Sequence, residues 1–259
     1  MRVINWNISY AGDVSKKIDY LSSVLSPGSL FMLQEVKPHA FEAIKAAFFD
    51  DYTLVYSLDF RKPSKFDSDA RRLGVLIGID KKLSVEEVGV IERNLFPDRT
   101  LYATVNIGGQ RLKVLALHSI TGCGYYRSKS VQYDTFAEFV NEFKPDIVGI
   151  DANEPQQDHY EIAQMKFFDN GPGAKHFFDA LNTLGLKDAY VHYNNITTYV
   201  EGEPLTKTHH IRRKGAVRYD FVFINEDLPI SSMQYCYEPA IAAGSDHALV
   251  ECDIDLFAD

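Results

Sequence analysis

Cysteine is scarce in this sequence, and its three residues, Cys123, Cys236 and Cys252, lie far apart without a paired spacing. An odd, scattered set gives no disulfide framework and no thiolate metal site, which favours a reducing compartment. A charged-then-apolar leader is also lacking, and no apolar run is long enough to span a membrane. We therefore expect a cytoplasmic protein without a membrane segment.

Positive charge is in deficit, because 27 Lys and Arg stand against 36 Asp and Glu, a net charge of −9. The surface as a whole is therefore not a general polyanion binder, and any contact with nucleic acid needs a local basic patch or a bound cation. Repeats and composition breaks are absent as well. With 46% hydrophobic residues, the chain can bury one large core, and we expect a single domain over residues 1–259.

Hydrophobic periodicity predicts interleaved strands and helices. The predicted strands are 2–8, 29–36, 72–80, 100–107, 111–119, 145–151, 216–224 and 250–256, and the predicted helices are 39–48, 130–143 and 176–186. The last strand alternates apolar and acidic residues, which is typical of a half-buried strand. Hairpins are too frequent for a purely parallel sheet, so we expect an α+β fold in which mixed sheets form a layered sandwich.

Polar residues that suit catalysis stand at or near the ends of these apolar strands. They are Asn7, Glu35, His118, Asp151, Asn153, Asp220, Asp246 and His247. A carboxylate in an apolar strand costs several kcal/mol unless it is paired or metal-bound. Any one of these residues is equally compatible with a structural hydrogen bond. Because two-sheet sandwiches gather strand ends at one edge, the whole set predicts a common cleft.

Such a cluster suits phosphoryl transfer with a hard cation. Carboxylate and amide oxygens favour Mg²⁺ or Mn²⁺ over Zn²⁺, and Glu35, Asn7 and Asp246 are the predicted ligands. An attacking water needs a base, for which His247 is the candidate, since a free histidine titrates near ~6.5. Asp220 is the candidate carboxylate that orients this histidine.

Six short motifs in order give the chain a clear resemblance to the endonuclease/exonuclease/phosphatase superfamily, the deoxyribonuclease I and exonuclease III group. The motifs are "NWNIS", "LQE", "LALHS", "GIDANEP", "VRYDFVFI" and "GSDHALV". The resemblance implies a four-layer sandwich of two mixed sheets covered by helices. It also implies one or two Mg²⁺ ions at the metal-site residues Asn7 and Glu35.

The resemblance further implies roles for the remaining residues. His118 would face the phosphate, Asp151 would orient or activate the nucleophile, and Asn153 would hold a non-bridging oxygen. His247 would be the base or would stabilise the transition state, with Asp246 at the metal or reaction centre. The division of labour between Asp151 and His247 stays open at this point.

Substrate contacts are predicted from basic and aromatic residues near the motifs. The predicted substrate-binding residues are Arg212, Arg213, Lys214, Arg218 and Tyr125. The basic stretch 207–214 precedes the strand that bears Asp220, although a charge run is often only a solvated loop. Tyr125 either stacks on a ring or covers its loop. His209 and His210 point apart on an extended chain, so we expect an exposed loop or a phosphate contact instead of a metal pair.

Three functions remain open, because one catalytic scaffold serves many phosphate esters. The first is a Mg²⁺-dependent nuclease or DNA-repair phosphodiesterase that binds nucleic acid as a monomer. The second is a phosphatase or phosphodiesterase acting on a small molecule, an inositol phosphate or a lipid headgroup. The third is a catalytically silent binding module, which would usually lose some metal or base residues, whereas here the whole set is present.

Overall fold

The computed structural model describes residues 1–61, 73–122, 127–168, 172–212 and 214–256. The strands are β1 (Arg2–Asn7), β2 (Leu30–Val36), β3 (Tyr52–Tyr56), β4 (Gly74–Asp80), β5 (Ser84–Gly89), β6 (Thr100–Ile107), β7 (Gln110–His118), β8 (Ile147–Asp151), β9 (Leu186–Asp188), β10 (His209–Ile211), β11 (Gly215–Val217), β12 (Asp220–Asn225), β13 (Ile230–Cys236) and β14 (Leu249–Ile254). The helices are α1 (Val14–Val24), α2 (Pro38–Phe48), α3 (Ser57–Phe60), α4 (Ser128–Phe143), α5 (Pro172–Thr183), α6 (Ala189–Asn194) and α7 (Tyr237–Ala242).

Two six-stranded mixed sheets and one small hairpin contain these strands. The first sheet has the order β13-β14-β1-β2-β4-β3, the second has the order β5-β6-β7-β8-β12-β9, and β10 pairs with β11. In the first sheet β1 is parallel to β2 and antiparallel to β14. In the second sheet β8 is parallel to β7 and antiparallel to β12.

Three hydrophobic clusters separate four layers. The central cluster joins the two sheets, with Met32 from β2 facing residues such as Val114 and Val222 of the second sheet. One outer cluster lies between the first sheet and α1, α2 and α7, and the other lies between the second sheet and α4 and α5. Each fully buried large apolar side chain contributes about 1.5–3 kcal/mol of transfer free energy. The predicted α+β four-layer sandwich is therefore confirmed.

Two details of the predicted strands are wrong. The closing strand β14 is not half-buried, because it lies inside the sheet and both of its faces are covered. Glu251 is only 4% exposed, and its Oε1 pairs with Arg2 Nη1 at 2.9 Å. The predicted strand 216–224 is interrupted between β11 and β12, where Arg218 turns inward to a pair of buried carboxylates.

The sheet topology places the predicted site at one edge. Parallel pairing brings the carboxyl ends of β1 and β2 together in one sheet and those of β7 and β8 together in the other. His118 is then in register with Asp151. Because β12 runs antiparallel to β8, its first residue, Asp220, lies opposite Asp151. β14 runs antiparallel to β1, so the residues that precede β14 return to the end of β1. No helix among the described residues is long and apolar enough to cross a bilayer.

Candidate active site

The centre of the candidate site is a buried group formed by Asp151, Asp220 and His247, whose ligand atoms lie within 4.8 Å of one another. Asp220 Oδ2 is 2.9 Å from His247 Nδ1. A carboxylate accepts, so Nδ1 carries the proton, and Nε2 is left for the cleft. The expected contact between Asp220 and His247 is therefore present.

Ser245 joins the histidine loop to the first strand. Its hydroxyl donates to the carbonyl oxygen of Asn7 at 2.7 Å and accepts from the backbone N–H of His247 at 3.0 Å. On the other side, the N–H of Ala248 donates to the carbonyl of Thr208 at 2.7 Å. The serine of the Ser-Asp-His sequence thus fixes the position of the histidine backbone.

The electrostatics of this group favour an imidazolium at His247 beside a weakly acidic carboxyl group at Asp151. Burial opposes the charged form of His247, but Asp220 and Asp151 outweigh it and raise the pKa of His247 to about 10. Burial raises the pKa of Asp151 to about 7; the His247 cation opposes this effect and Asp220 adds to it. Near neutral pH His247 is therefore protonated, while Asp151 is divided between its protonated and ionised forms.

Two asparagines hold Asp151 in place. Asn7 Nδ2 donates to Asp151 Oδ2 at 2.8 Å, and the backbone N–H of Asn153 donates to Oδ1 at 3.1 Å. Asn153 adopts a positive φ of 49°, a conformation that asparagine tolerates better than most residues. Its side-chain Nδ2 donates to Ser119 O at 3.0 Å and lies 3.4 Å from Asp151 Oδ2.

His118 lies beside two carboxylates and one buried arginine. Its Nε2 is 3.6 Å from Asp151 Oδ2 and 3.8 Å from Glu35 Oε1. Arg99 Nη1 is 2.8 Å from Nδ1 and 3.1 Å from Nε2, which places the guanidinium against the ring instead of along one lone pair. Burial, with the positive charges of Arg99 and His247, holds the pKa of His118 well below its usual value. His118 is therefore a neutral hydrogen-bonding group.

Glu35 owes its direction to an irregularity in β2. The pairing of β2 with β4 shifts between Leu33 and Val36, and Glu35 has a positive φ of 60°. Such bulges re-aim a side chain and are frequent next to active sites. Glu35 Oε2 accepts the N–H of Tyr10 at 2.9 Å, while Oε1 faces His118.

The oxygen donors of this cleft fit a hard cation. The carboxylate oxygens of the buried Asp151–Asp220–His247 group are consistent with a metal site, whereas the protonated His247 ring offers no lone pair. Asp220 Oδ1 is buried with no hydrogen bond to the described residues. Asp220 and Glu35 both add to the raised pKa of Asp151, and a bound cation would offset this repulsion among the carboxylates. Together with the carboxylate of Glu35, this donor set has the chemistry that Mg²⁺ and Mn²⁺ prefer.

A second group of ligand atoms, from His209, Asp246 and His247, also lies within 4.8 Å. The two imidazole rings are stacked, with centroids 4.3 Å apart and an interplanar angle of 19°. Lone pairs of parallel rings run side by side and do not meet at one ion, so this group is a poor metal site as it stands. Asp246 is exposed and faces this second group, and among the described residues Glu35 belongs to neither group of three.

His209 differs from its expected position in an exposed loop. It begins β10, is half-buried against His247, and forms a backbone bridge with it. Burial lowers the pKa of His209, and the charge of His247 lowers it further. His210, the next residue, is exposed. The expected exposed loop is wrong for His209 because the β10–β11 hairpin folds over the Ser-Asp-His loop, a tertiary contact that local sequence does not encode. The alternative, a phosphate contact, stays a prediction.

The predicted substrate-binding residues differ in where they lie and in whether solvent reaches them. Arg212 and Lys214 are exposed on the β10–β11 hairpin, whereas Arg213 and Tyr125 lie outside the described residues. The prediction that Arg218 binds substrate is wrong. Arg218 is 1% exposed and is paired with Asp158 at 2.9 Å and with Asp188 at 2.7 Å. Since its charge is neutralised inside the protein, Arg218 is a buried structural residue and does not reach a substrate.

A cavity of about 350 Å³ opens beside Asn153. Phe168, Tyr219 and Ile211 supply its apolar surface, and Lys214 Nζ lies 4.2 Å above the Phe168 ring. The cavity therefore combines aromatic surface with positive charge next to the candidate site.

Arg99 and Lys17 are site residues that the sequence did not reveal. Arg99 lies in the connection between β5 and β6, where no local pattern distinguishes it. Lys17 is buried in α1, and its ammonium donates to the carbonyl of Ser9 at 2.7 Å and to that of Ala11. Burial lowers its pKa, and the Asp246 and Glu35 carboxylates oppose that shift. A lysine on the apolar face of a helix is the signal that would have identified Lys17.

No family model matches the sequence, and no curated protein is similar to it by sequence. Solved structures match over the whole chain. The 3′ phosphatase NExo from Neisseria, bound to a product DNA hairpin, has 18% identity and a TM-score of 0.69, covering 98% of this chain and 99% of that one. An AP endonuclease from Archaeoglobus fulgidus has 18% identity and a TM-score of 0.68, covering 99% and 100%. D. rerio TDP2, complexed with a single-strand DNA product, has 14% identity and a TM-score of 0.67, covering 98% of each chain.

The chain has the deoxyribonuclease I-like fold of the endonuclease/exonuclease/phosphatase superfamily. This agreement covers 98–99% of the chain and confirms the fold that the resemblance of the six motifs implies. Within this fold, the buried carboxylates and histidines lie at the sheet edge where the motifs converge.

Proposed function

We propose that this protein is a Mg²⁺- or Mn²⁺-dependent phosphodiester hydrolase that acts on nucleic acid. The observation that carries the proposal is the pair formed by Asp220 and His247 at 2.9 Å, within 4.8 Å of Asp151. A histidine oriented by a buried carboxylate, beside a second carboxylate, is the arrangement that acid-base catalysis of water attack requires.

The electrostatics favour Asp151 as the base and His247 as the cation that stabilises charge. With a pKa of about 7, Asp151 accepts the proton of an attacking water near neutral pH. With a pKa of about 10, His247 holds its proton and donates it as a hydrogen bond, through Nε2, to a phosphoryl oxygen. Asp220 accepts the Nδ1–H of His247 at 2.9 Å, which orients the ring and balances its charge.

The neutral His118 and Asn153 complete the phosphate site in this proposal. The ring of His118 and the amide of Asn153 both contact Asp151, so each offers a hydrogen bond to a phosphoryl oxygen beside the base. Glu35 and Asn7 would hold the cation, with Asp246 on the outer side. When bound, the cation supplies Lewis-acid polarisation of the phosphoryl group.

Nucleic acid is the preferred substrate for two reasons. The exposed Arg212 and Lys214 lie on the hairpin whose first residue, His209, contacts His247, so they are placed to bind phosphates beyond the scissile one. Two of the similar structures contain DNA. The net charge of −9 restricts this interaction to a local surface.

A second candidate is hydrolysis of a phosphomonoester. The cavity of about 350 Å³ beside Asn153 has the size for one compact group, and one similar structure is a 3′ phosphatase. A silent binding module is disfavoured because the proposed metal, base and orienting residues are all present.

A substrate panel separates these functions. Single- and double-stranded DNA, RNA, a protein–DNA adduct, a 3′-phosphorylated oligonucleotide and inositol phosphates are each incubated with Mg²⁺, Mn²⁺ or EDTA. We expect cleavage of a nucleic acid with either cation and none with EDTA. Release of phosphate alone from the 3′-phosphorylated oligonucleotide or from inositol phosphates would replace the first proposal by the second. No turnover of any substrate would favour the binding module.

A further inference from the structure

His209 makes three contacts with the candidate site, although the mechanism above gives it no role. Its ring stacks on that of His247 with a centroid separation of 4.3 Å and an interplanar angle of 19°. Its Nδ1 lies 2.8 Å from the carbonyl oxygen of Asp246. Its backbone forms an isolated antiparallel bridge with the backbone of His247.

The hydrogen bond to Asp246 fixes the protonated nitrogen of His209 and the ring face that packs against His247. A carbonyl oxygen only accepts, so Nδ1 of His209 must be the N–H donor, and the ring plane is set by this bond together with the stack. Behind it, the Tyr219 ring is nearly parallel to His209, at 6.4 Å and 24°. Tyr219, His209 and His247 therefore form a row of near-parallel rings.

The backbone that bears His209 is itself tied to the site. The hydroxyl of Thr208 accepts the N–H of Tyr219 at 2.8 Å and that of Asp220 at 3.3 Å. The carbonyl of Thr208 accepts the N–H of Ala248 at 2.7 Å. The entry to β10 is therefore bonded to the residues adjoining both members of the Asp220–His247 pair.

Asp220 alone does not determine the plane of the His247 ring. One hydrogen bond to Nδ1 fixes one atom, and the terminal side-chain torsion of histidine is broad, so the ring remains able to tilt about that bond. A ring packed on its face removes this freedom. A tilt of the imidazole would displace Nε2 from the scissile phosphate, and a misplacement of about 1 Å can lower the rate by about 10²-fold.

We infer that His209 is a positioning residue, whose stacked ring holds the plane of His247 so that Nε2 points to the scissile phosphate. This inference rests on the proposed hydrolytic function. In this inference the stacked ring of His209 holds His247 in place, and neither the charge nor the hydrogen bond of His209 is required.

Two substitutions separate the ring from the hydrogen bond. His209→Phe keeps a ring and loses the bond to Asp246, whereas His209→Gln keeps an N–H donor and loses the ring. The matched control is His210→Gln, on the exposed neighbour in the same hairpin. Steady-state kinetics are measured with the substrate found by the panel, and histidine ring resonances of the full chain are recorded by NMR without substrate.

We expect His209→Gln to lower kcat by about 10-fold to 100-fold with little change in KM, and His209→Phe to keep most of the parental kcat. The ring-proton resonances of His247 should shift downfield in His209→Gln, where the ring current of the neighbour is lost, and should stay in place in His210→Gln. Parental kcat in His209→Gln, an equal loss in both variants, or an unmoved His247 resonance would each overturn the inference. If the parent protein hydrolyses nothing, the proposed function fails and the positioning role falls with it, while the NMR comparison still shows whether the His209 ring stacks on that of His247.

Discussion

Asn7 and Asp151 lie in facing sheets, and Asn7 Nδ2 donates to Asp151 Oδ2 at 2.8 Å. A second bridge lies deeper in the core, where Asn5 Nδ2 lies 3.3 Å from the carbonyl of Ile150 and 3.2 Å from that of Phe221. The site is therefore built across the junction of the two sheets and not within one of them. The geometry of the site depends on how the two sheets pack. Its reactivity depends on how far burial raises the pKa of Asp151.

Replacement of Asp151 by asparagine should stabilise the metal-free protein at alkaline pH. The folded state raises the pKa of Asp151 from 3.8 to about 7, so between these values the folded state holds a proton that the unfolded chain has lost. The contribution of Asp151 to the free energy of unfolding therefore falls as pH rises through this window. Asp151→Asn has no such group, and at pH 8 we expect it to exceed the parent by roughly 1–4 kcal/mol.

Thermal unfolding in EDTA at pH 5 and pH 8 measures this difference. The Tm advantage of Asp151→Asn should be several degrees at pH 8, at roughly 2–4 °C per kcal/mol, and smaller at pH 5. Asp19→Asn, on an exposed carboxylate, should leave the pH dependence of Tm unchanged. Parallel pH profiles for the parent and Asp151→Asn would show that the buried carboxyl group carries no such penalty.

The strand-end residues of the site could be predicted from the sequence because their strands are buried and apolar. A polar group that ends such a strand stands out, and the pairing of parallel strands brings those ends to one edge. Glu35, His118 and Asp151 were identified in this way, and the register of β12 with β8 adds Asp220.

Residues that reach the site from other elements could not be predicted in this way. Arg99 comes from a connection, Lys17 from the buried side of a helix, and His209 from a hairpin folded over the histidine loop. Their positions depend on how separate segments pack, and no local periodicity records that packing. The same reason explains the wrong prediction for Arg218. It lies two residues before Asp220 in the sequence and was predicted to bind substrate, but it is paired inside the fold with Asp158 and Asp188.

Glu35→Gln should abolish metal-dependent hydrolysis without unfolding the protein. The substitution keeps the side-chain shape and the acceptor for Tyr10 N–H but removes the charge that binds the cation. We expect Mg²⁺ or Mn²⁺ to raise the Tm of the parent, because a ligand at 100 times its Kd adds about 2.7 kcal/mol, and to have a much smaller effect on Glu35→Gln. Glu42→Gln, on the exposed side of α2, is the control. Full turnover by Glu35→Gln in EDTA would rule out a role for Glu35 in metal-dependent catalysis.

Asp220 and His247 should act as one unit. We expect His247→Ala and Asp220→Asn each to lower kcat by roughly 10²–10⁴, the usual contribution of acid-base groups. The double variant should lose little more than the worse single variant, because an orienting carboxylate has no function once its histidine is absent. A double variant whose loss equals the product of the two single losses would mean that the 2.9 Å contact is not used in catalysis.

The exposed cations of the β10–β11 hairpin should bind phosphates beyond the scissile one. For Arg212→Ala with Lys214→Ala we expect a higher KM for a long oligonucleotide and little change in turnover of a minimal phosphodiester. The salt dependence of log KM should be flatter by about one unit of slope for each phosphate that the variant no longer binds.

The matched control is Arg111→Ala with Lys187→Ala, which removes the same charges. Arg111 lies near the start of β7, at the end away from His118, and Lys187 pairs with Ile224 at the end of β12 away from Asp220. Identical oligonucleotide kinetics for both double variants at low salt would show that the hairpin cations do not bind substrate, and would remove the main reason within this chain for preferring nucleic acid over a small phosphate ester.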